Sequence, residues 1–231
     1  TWHKLMPDYE YIKWDFSRFD KESSVWVKEA FDNKKYAFAA DYIRMYALYT
    51  MGVIYLDMDV EVLKPFDELL DLKYFICQER DAFPCPEVAA FGTEKGCEWV
   101  NIMMDYYKDR HFILPDGTFD TEPLPHIFQN VLESNGYSFK RQESLLDAKD
   151  NQAGVIKLFP YYFFSPKSYK TGKINITKET YSVHRFSGTW KPWYIRMEKK
   201  MWRALGFKPY AFIAYLEKWL QKRANKRNNN K

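Results

Sequence analysis

The apolar positions between residues 34 and 51 follow a helical period. Four apolar residues recur at this spacing: Tyr36, Ala40, Ile43 and Ala47. The pattern predicts one helix over residues 34–51 with these four side chains on its apolar face. Gly52 follows at once and is typical of a helix C-terminus. The next residues, "VIYL", predict a buried strand, so this part of the chain should be a helix leading directly into a strand.

The rest of the chain alternates between the same two kinds of signal. Strands are predicted at "YEYIKWD" (9–15), "KYFICQ", "VAAFGT", "GVIKLFPYYFF" and "TYSVHRF". Helices are predicted from a Ser23 or Ser24 cap to about Phe31, after Pro65, at "CEWVNIMMDYYKD" and at "EPLPHIFQNVLES". Residues 111–122 and 140–153 are predicted to be loops, and two basic amphipathic helices close the chain. This alternation predicts an α/β fold with a mixed, mostly parallel sheet.

Charge divides the chain at about residue 190. The whole chain has a formal net charge of +4, whereas residues 191–231 alone carry +10. The prediction is therefore a domain over residues 1–190 and a basic, aromatic helical tail over residues 191–231. Such a tail either packs against the domain with a solvated basic face or contacts an anionic membrane surface. Nucleic acid is not expected as a partner, because no base-reading motif accompanies the charge. The three cysteines form no CxxC pair, which indicates reduced thiols in a cytoplasmic protein.

Two aspartates follow the predicted strand "VIYL" directly. Asp57 and Asp59 are two residues apart, so in a strand they face the same way. The carboxyl end of a strand is where open α/β sheets usually hold ligands. Two carboxylates there suit Mg²⁺ or Mn²⁺, although a D-x-D pair alone is also typical of an acidic loop cap. On the preceding helix, Asp41 and Arg44 lie away from the predicted apolar stripe. They form either an ordinary i, i+3 salt bridge or one border of the same pocket.

These motifs together resemble a known family. "KKYAFAADYIRMYALYTMGVIYLDMDVEVLKP" resembles the core signature of glycosyltransferase family 32, the DXD-containing sugar transferases of capsule and lipopolysaccharide synthesis. "LFPYYFFSPKSYKTGKINITKETYSVHRFSGTWK" resembles the C-terminal signature of that family, and "PDYEYIKWD" its early strand. The resemblance implies a GT-A fold, a nucleotide-sugar-binding α/β domain that uses a divalent metal.

The resemblance also implies roles for single residues. Asp57 and Asp59 would be the DXD pair, which holds Mn²⁺ or Mg²⁺ and reaches the ribose or sugar of the donor. His184 would be a further metal ligand, and Asp41 and Arg44 would contact the donor sugar. The positions of a loop that closes over the diphosphate are occupied by Thr189 and Trp190.

The activity implied is metal-dependent transfer of a hexose in surface polysaccharide synthesis, with retention of anomeric configuration. The donor would be a nucleotide sugar, with UDP-sugar favoured over GDP-sugar, and the acceptor a saccharide or a lipid-linked sugar. The enzyme would be cytoplasmic and peripheral on the inner face of the membrane. Family members usually begin with a further strand and a tryptophan-containing loop, and these are expected to be missing from the 231 residues.

Two other interpretations fit parts of the pattern. A non-catalytic module that binds a sugar nucleotide or a glycan would share the motifs without turnover. "IYLDMDVEV" also resembles the first motif of haloacid-dehalogenase-like phosphatases. That family needs a lysine and a further acidic pair downstream, for which Asp147 and Asp150 are the nearest candidates.

Overall fold

The computed structural model describes residues 1–149 and 151–188, and residue 197. Within the two long ranges there are six α-helices: α1 (Trp2–Leu5), α2 (Val25–Asp32), α3 (Tyr36–Met51), α4 (Glu98–Tyr107), α5 (Leu124–Ser134) and α6 (Leu145–Lys149). The same ranges contain seven strands: β1 (Ile54–Leu56), β2 (Val60–Val62), β3 (Tyr74–Glu79), β4 (Ala82–Thr93), β5 (Ser138–Arg141), β6 (Val155–Leu158) and β7 (Ser182–His184). Short 3₁₀ turns cover Lys21–Ser23, Asp67–Leu69 and Tyr161–Phe163. Residues Thr1–Ser187 form one compact unit.

The α/β architecture is confirmed, but the prediction of a mostly parallel sheet is wrong. β4 is the middle strand of a three-stranded sheet and pairs antiparallel with both β1 and β3. β2 and β7 form a second antiparallel pair. β5 and β6 pair in parallel, and Cys77 of β3 forms a single parallel bridge with Phe159, directly after β6. Two residues separate β3 from β4, which is too few for the crossover that a parallel pair requires.

Hydrophobic side chains cover both faces of the three-stranded sheet. From β3 and β4, Ile76, Val88 and Phe91 belong to a cluster built mainly by α2, α3, α4 and α5. Phe75 and Cys77 belong to a second cluster on the other face, with the aromatic residues that follow β2 and β6. Burial on both faces explains why "VAAFG" is an uninterrupted apolar run rather than an alternating one. β1, at the edge of this sheet, packs Tyr55 against the first cluster and Ile54 and Leu56 against the second.

Helix α3 and its end confirm one prediction and correct another. The helix ends where predicted, with Gly52 as its C-cap at a φ of 68°. A Cβ at Gly52 would lie 2.4 Å from the backbone nitrogen of Lys95, so the position has no room for a side chain. The predicted apolar stripe is only partly right, because Ala47 is buried and Ile43 packs against the core, whereas Tyr36 is 56% exposed. The buried residues of α3 are Ala39, Asp41, Arg44, Met45, Ala47 and Leu48. The face that turns inward therefore carries the charged pair.

Other predicted elements differ in detail. Ser24 caps α2 as predicted, with its side chain accepting a hydrogen bond from the amide of Val27. Residues 9–15 form no strand: the backbone of Tyr9 and of Asp15 makes local turn hydrogen bonds, and the hydroxyl of Tyr9 donates to Asp67 over 2.6 Å. Residues 140–153 are not wholly a loop, because they contain the end of β5 and all of α6.

The predicted basic helices after residue 190 lie outside the described residues. None of the helices in the described ranges has the length and apolar character needed to cross a membrane.

Candidate metal centre

Arg44 is the buried cation of the site. Its Nη2 lies 3.0 Å from Oδ1 of Asp41, and its Nη1 donates to the carbonyl of Val88 over 2.9 Å. The same Nη1 is 3.4 Å from Oδ1 of Asp57, and the guanidinium lies 4.5 Å from the ring centre of Tyr55. Arg44 therefore links helix α3 to the start of the aspartate turn and to the middle strand of the sheet.

Burial governs the electrostatics of this pair. Asp41 and Arg44 are 7% and 8% exposed. Loss of hydration raises the pKa of Asp41 to about 7, although the charge of Arg44 opposes the shift. Burial works against the charged form of Arg44 too, but Tyr55 and Asp57 favour it and keep the pKa of the guanidinium raised. Arg44 is thus a permanent positive charge in a place where water cannot screen it.

Asp57 and Asp59 lie in a turn between β1 and β2 rather than in one continuous strand. The amide of Asp57 still donates to the carbonyl of Ala89, which ties the turn to β4, and the amide of Val60 donates back to the carbonyl of Asp57. Met58, between the two aspartates, is 93% exposed. The prediction that both carboxylates face the same way holds, although a turn and not the period of a strand brings this about.

His184 brings the C-terminal part of the described chain to these aspartates. It lies in β7 directly opposite Val60 of β2. Its Nε2 is 3.3 Å from Oδ1 of Asp59 and 3.9 Å from Oδ2 of Asp57. The amide of Ser187 donates to the other oxygen of Asp59 over 2.6 Å. The pairing of β2 with β7 is therefore what assembles the three side chains.

The charges around His184 shift its pKa and that of Asp59 in opposite directions. Burial would lower the pKa of His184, but Glu87 and Asp59 raise it to about 10. Burial would raise the pKa of Asp59, but the hydrogen bonds from His184 and from the Ser187 amide lower it well below its usual range. Asp59 is thus an anion at every physiological pH.

Two residues of the site were missed by the sequence analysis. The hydroxyl of Tyr55 donates to Oδ1 of Asp57 over 2.6 Å, and Oε1 of Glu87 lies 2.8 Å from Nδ1 of His184. Glu87 is a charged residue within the apolar part of β4, which was the one signal that could have identified it. Tyr55 offered no signal, because a tyrosine in a strand is ordinary.

The three donor groups have the spacing of ligands to one small divalent cation. Asp57 and Asp59 each offer a carboxylate oxygen and His184 offers a ring nitrogen, and these three atoms lie within 4.8 Å of one another. In an octahedral site with ligands at about 2.1 Å, neighbouring ligand atoms are about 3 Å apart and opposite ones about 4.2 Å. The observed separations of 3.3 and 3.9 Å from Nε2 of His184 fall in this range. The residues therefore fit a divalent metal ion.

The structure thus brings together five of the seven predicted site residues: Asp41, Arg44, Asp57, Asp59 and His184. Thr189 and Trp190 lie outside the described residues. The assignment of catalytic and binding roles to any of these positions stays a prediction.

The comparisons with known proteins match the N-terminal part of the chain. Residues 1–76 match the family described as a glycosyltransferase sugar-binding region containing a DXD motif. This range includes the two charged residues of α3 and both aspartates, and it ends before Glu87 and His184.

Over 76 residues the chain is 37% identical to mannosyl phosphorylinositol ceramide synthase SUR1 of Saccharomyces cerevisiae. The alignment covers 31% of this chain and 20% of the relative, so the chain spans about a fifth of the length of the curated protein that it matches. The comparison with solved structures gave no match. These findings support a DXD-containing glycosyltransferase, without distinguishing family 32 or capsule synthesis from other members of that wider group.

Proposed function

We propose that this chain is the catalytic part of a metal-dependent glycosyltransferase of GT-A type. It would transfer a hexose, with retention of configuration, from a nucleotide sugar to a saccharide or lipid-linked acceptor in the synthesis of a surface glycan. The observation that carries the proposal is the convergence of Asp57, Asp59 and His184 within 4.8 Å. The match of residues 1–76 to a DXD glycosyltransferase region supports the same reading.

In this proposal the metal site serves the departure of the nucleoside diphosphate. Asp57, Asp59 and His184 would hold the ion, and an imidazole beside two carboxylates favours Mn²⁺ over Mg²⁺. A bound divalent cation supplies positive charge where the leaving diphosphate becomes more negative. The protein holds these groups in place through Tyr55 and the amide of Ser187, so little reorganisation is needed when the donor binds.

The buried pair of α3 would border the donor sugar and fix Asp57. Arg44 lies 3.4 Å from Asp57 and carries a charge that is independent of pH in the physiological range. Thr189 and Trp190 would belong to a loop that excludes water from the donor, which otherwise would be hydrolysed. Their part in the proposal rests on the family resemblance alone.

The substrates are proposed by chemical class. The name of the yeast relative denotes synthesis of a mannosylated phosphorylinositol ceramide, which supports a hexose donor and a lipid-linked acceptor. The sequence resemblance favours a UDP-sugar over a GDP-sugar. An enzyme with a membrane-bound acceptor would work as a peripheral protein at the inner face of the membrane, with residues 191–231 as its contact.

Calorimetric titration of UDP and of GDP into the 231-residue chain, with Mn²⁺ and with EDTA, tests the proposal. We expect one nucleotide to bind with Mn²⁺ and neither to bind with EDTA. Asp59→Ala should abolish the metal-dependent binding and metal-dependent turnover, whereas Asp71→Asn, a change at an exposed aspartate, should alter neither.

Two results would contradict the proposal. If Asp59→Ala kept more than a tenth of the turnover, Asp59 would not be a metal ligand. If the nucleotide bound tightly with Mn²⁺ but no donor sugar was transferred or hydrolysed, the chain would be a non-catalytic binding module.

A further inference from the structure

Glu87 is a buried carboxylate in an apolar strand. It is 5% exposed and lies in β4, where residues 85–93 are all buried. A charged group is retained in such surroundings only where a partner compensates its charge. The partner of Glu87 therefore indicates what the residue is for.

That partner is His184. Oε1 of Glu87 lies 2.8 Å from Nδ1 of the imidazole. The second oxygen, Oε2, is buried and has no hydrogen-bond partner among the described residues. Glu87 thus uses one oxygen, and uses it on the residue that completes the candidate metal centre.

The bond decides which ring nitrogen faces the aspartates. The pairing of β2 with β7 fixes the backbone of His184, but the rotation of an imidazole about its last side-chain bond is broad and roughly two-fold. In the neutral ring, the form that binds a metal, a carboxylate at Nδ1 makes that nitrogen the donor and leaves the lone pair on Nε2. Nε2 is the atom 3.3 Å from Asp59.

We infer that Glu87 is a positioning residue of the metal centre, which holds His184 with Nε2 directed at Asp57 and Asp59 and so strengthens Mn²⁺ binding. The inference rests on the proposed function, since it requires a divalent cation at these donor atoms. Carboxylates that bond the far nitrogen of a metal-bound histidine typically contribute 10–100-fold to metal affinity.

The test measures Mn²⁺ affinity by the electron paramagnetic resonance signal of the free ion, with the nucleotide that the chain prefers present at saturation. Glu87→Leu, which removes the acceptor but keeps the side-chain size, should weaken Mn²⁺ binding about 10–100-fold. Glu87→Gln keeps an acceptor oxygen and should weaken it less than Glu87→Leu does. Gln142→Leu makes the same kind of change at another buried polar side chain, which is 3% exposed, and should change the affinity less than twofold.

A double-mutant cycle separates positioning from a general effect on the fold. If Glu87 acts through His184, Glu87→Leu should add nothing to the loss caused by His184→Ala. Nitrogen NMR with Mg²⁺, a diamagnetic ion, in place of Mn²⁺ gives a second readout, because the metal-bound wild-type ring should carry its proton on Nδ1 and the Glu87→Leu ring should not keep this preference.

The outcomes distinguish this inference from the proposed function. The positioning role is wrong if the wild type and Glu87→Leu bind Mn²⁺ equally well. It is also wrong if Glu87→Leu lowers the Mn²⁺ affinity as much in the His184→Ala background as in the wild type. If the wild type binds no Mn²⁺ with either nucleotide, the metal centre itself is wrong, and the inference fails with it. Thermal unfolding in EDTA checks that each variant is folded.

Discussion

Replacing Arg44 by methionine should lower the free energy of unfolding by about 3–5 kcal/mol. The change keeps an apolar side chain of similar length but removes the guanidinium 3.0 Å from Asp41. Asp41 is 7% exposed, so water cannot replace the lost partner. Above pH 7, the approximate pKa of Asp41 in the wild type, the carboxylate would then be buried without its cation or would have to take up a proton, and either is costly.

The magnitude follows from the separate contacts of Arg44. Leaving one member of a buried pair alone costs about 3–5 kcal/mol, and an unpaired buried carbonyl, here that of Val88, costs about 1–3 kcal/mol. These costs overlap, since the structure relaxes around both groups, and we do not add them. The side chain of Asp57 is 26% exposed and can be hydrated instead. Native domains typically have a free energy of unfolding of about 5–15 kcal/mol. Arg44→Met should therefore still fold, but with a much lower free energy of unfolding.

Urea unfolding in EDTA at about pH 8.5, where Asp41 is ionised in the wild type, followed by circular dichroism, measures the effect. Asp41→Asn combined with Arg44→Met should recover at least about 2 kcal/mol, because a neutral amide replaces the uncompensated charge. Arg44→Lys is the matched control, since it keeps the charge and loses only the planar fork of donors. The reasoning would be refuted if Arg44→Met stayed within about 1 kcal/mol of the wild type, or if the double variant were no more stable than Arg44→Met.

Two further predictions concern pH. Burial raises the pKa of Asp41 to about 7 from an ordinary value of 3.8. Between these two values the folded state holds a proton that the unfolded state releases. The stability of the wild type relative to Asp41→Asn should therefore fall as the pH rises from about 4 to about 7. Urea midpoints across this range measure it, and a constant difference would contradict the shift. Glu29 accepts hydrogen bonds from the amides of Phe112 and Ile113 and bonds the ring of His111; these contacts lower its pKa, although burial opposes them. Glu29→Gln should therefore lower the free energy of unfolding by about 1–3 kcal/mol at pH 7. Thermal unfolding should show the difference from the wild type becoming smaller as the pH falls below 4.5, the ordinary pKa of glutamate.

The local elements of the fold were predictable from sequence where a physical signal is local. Helix α3 has a long apolar period and a glycine at its end, and Ser24 caps α2 with its own side chain. Strand pairing is not local: that β1 lies beside β4, and β2 beside β7, depends on contacts between residues far apart in the chain. The predicted parallel sheet failed for this reason.

The candidate site was predictable only in part, because its buried residues are charged. The apolar stripe of α3 was predicted only in part, since a helix face that contains Asp41 and Arg44 is typical of a solvent face, although the two compensate each other inside the protein. Glu87 was missed on the same ground. His184 was identified through the family resemblance, as no spacing along the chain connects it with the aspartates that it meets across β2 and β7.

The arrangement of the site explains why a metal ion and a nucleotide should bind together. Each candidate ligand has one polar atom held by the protein and the other directed at the shared point. The held pairs are Asp57 with Tyr55, Asp59 with the amide of Ser187, and His184 with Glu87. The ligands are therefore in place before an ion arrives, and three carboxylates surround one imidazole. An anionic diphosphate alone would meet the negative charge of Asp57 and Asp59, whereas a complex of a divalent cation with the diphosphate would bring the positive charge that these groups require. In the proposed function, these electrostatics would favour the donor in its metal-bound form.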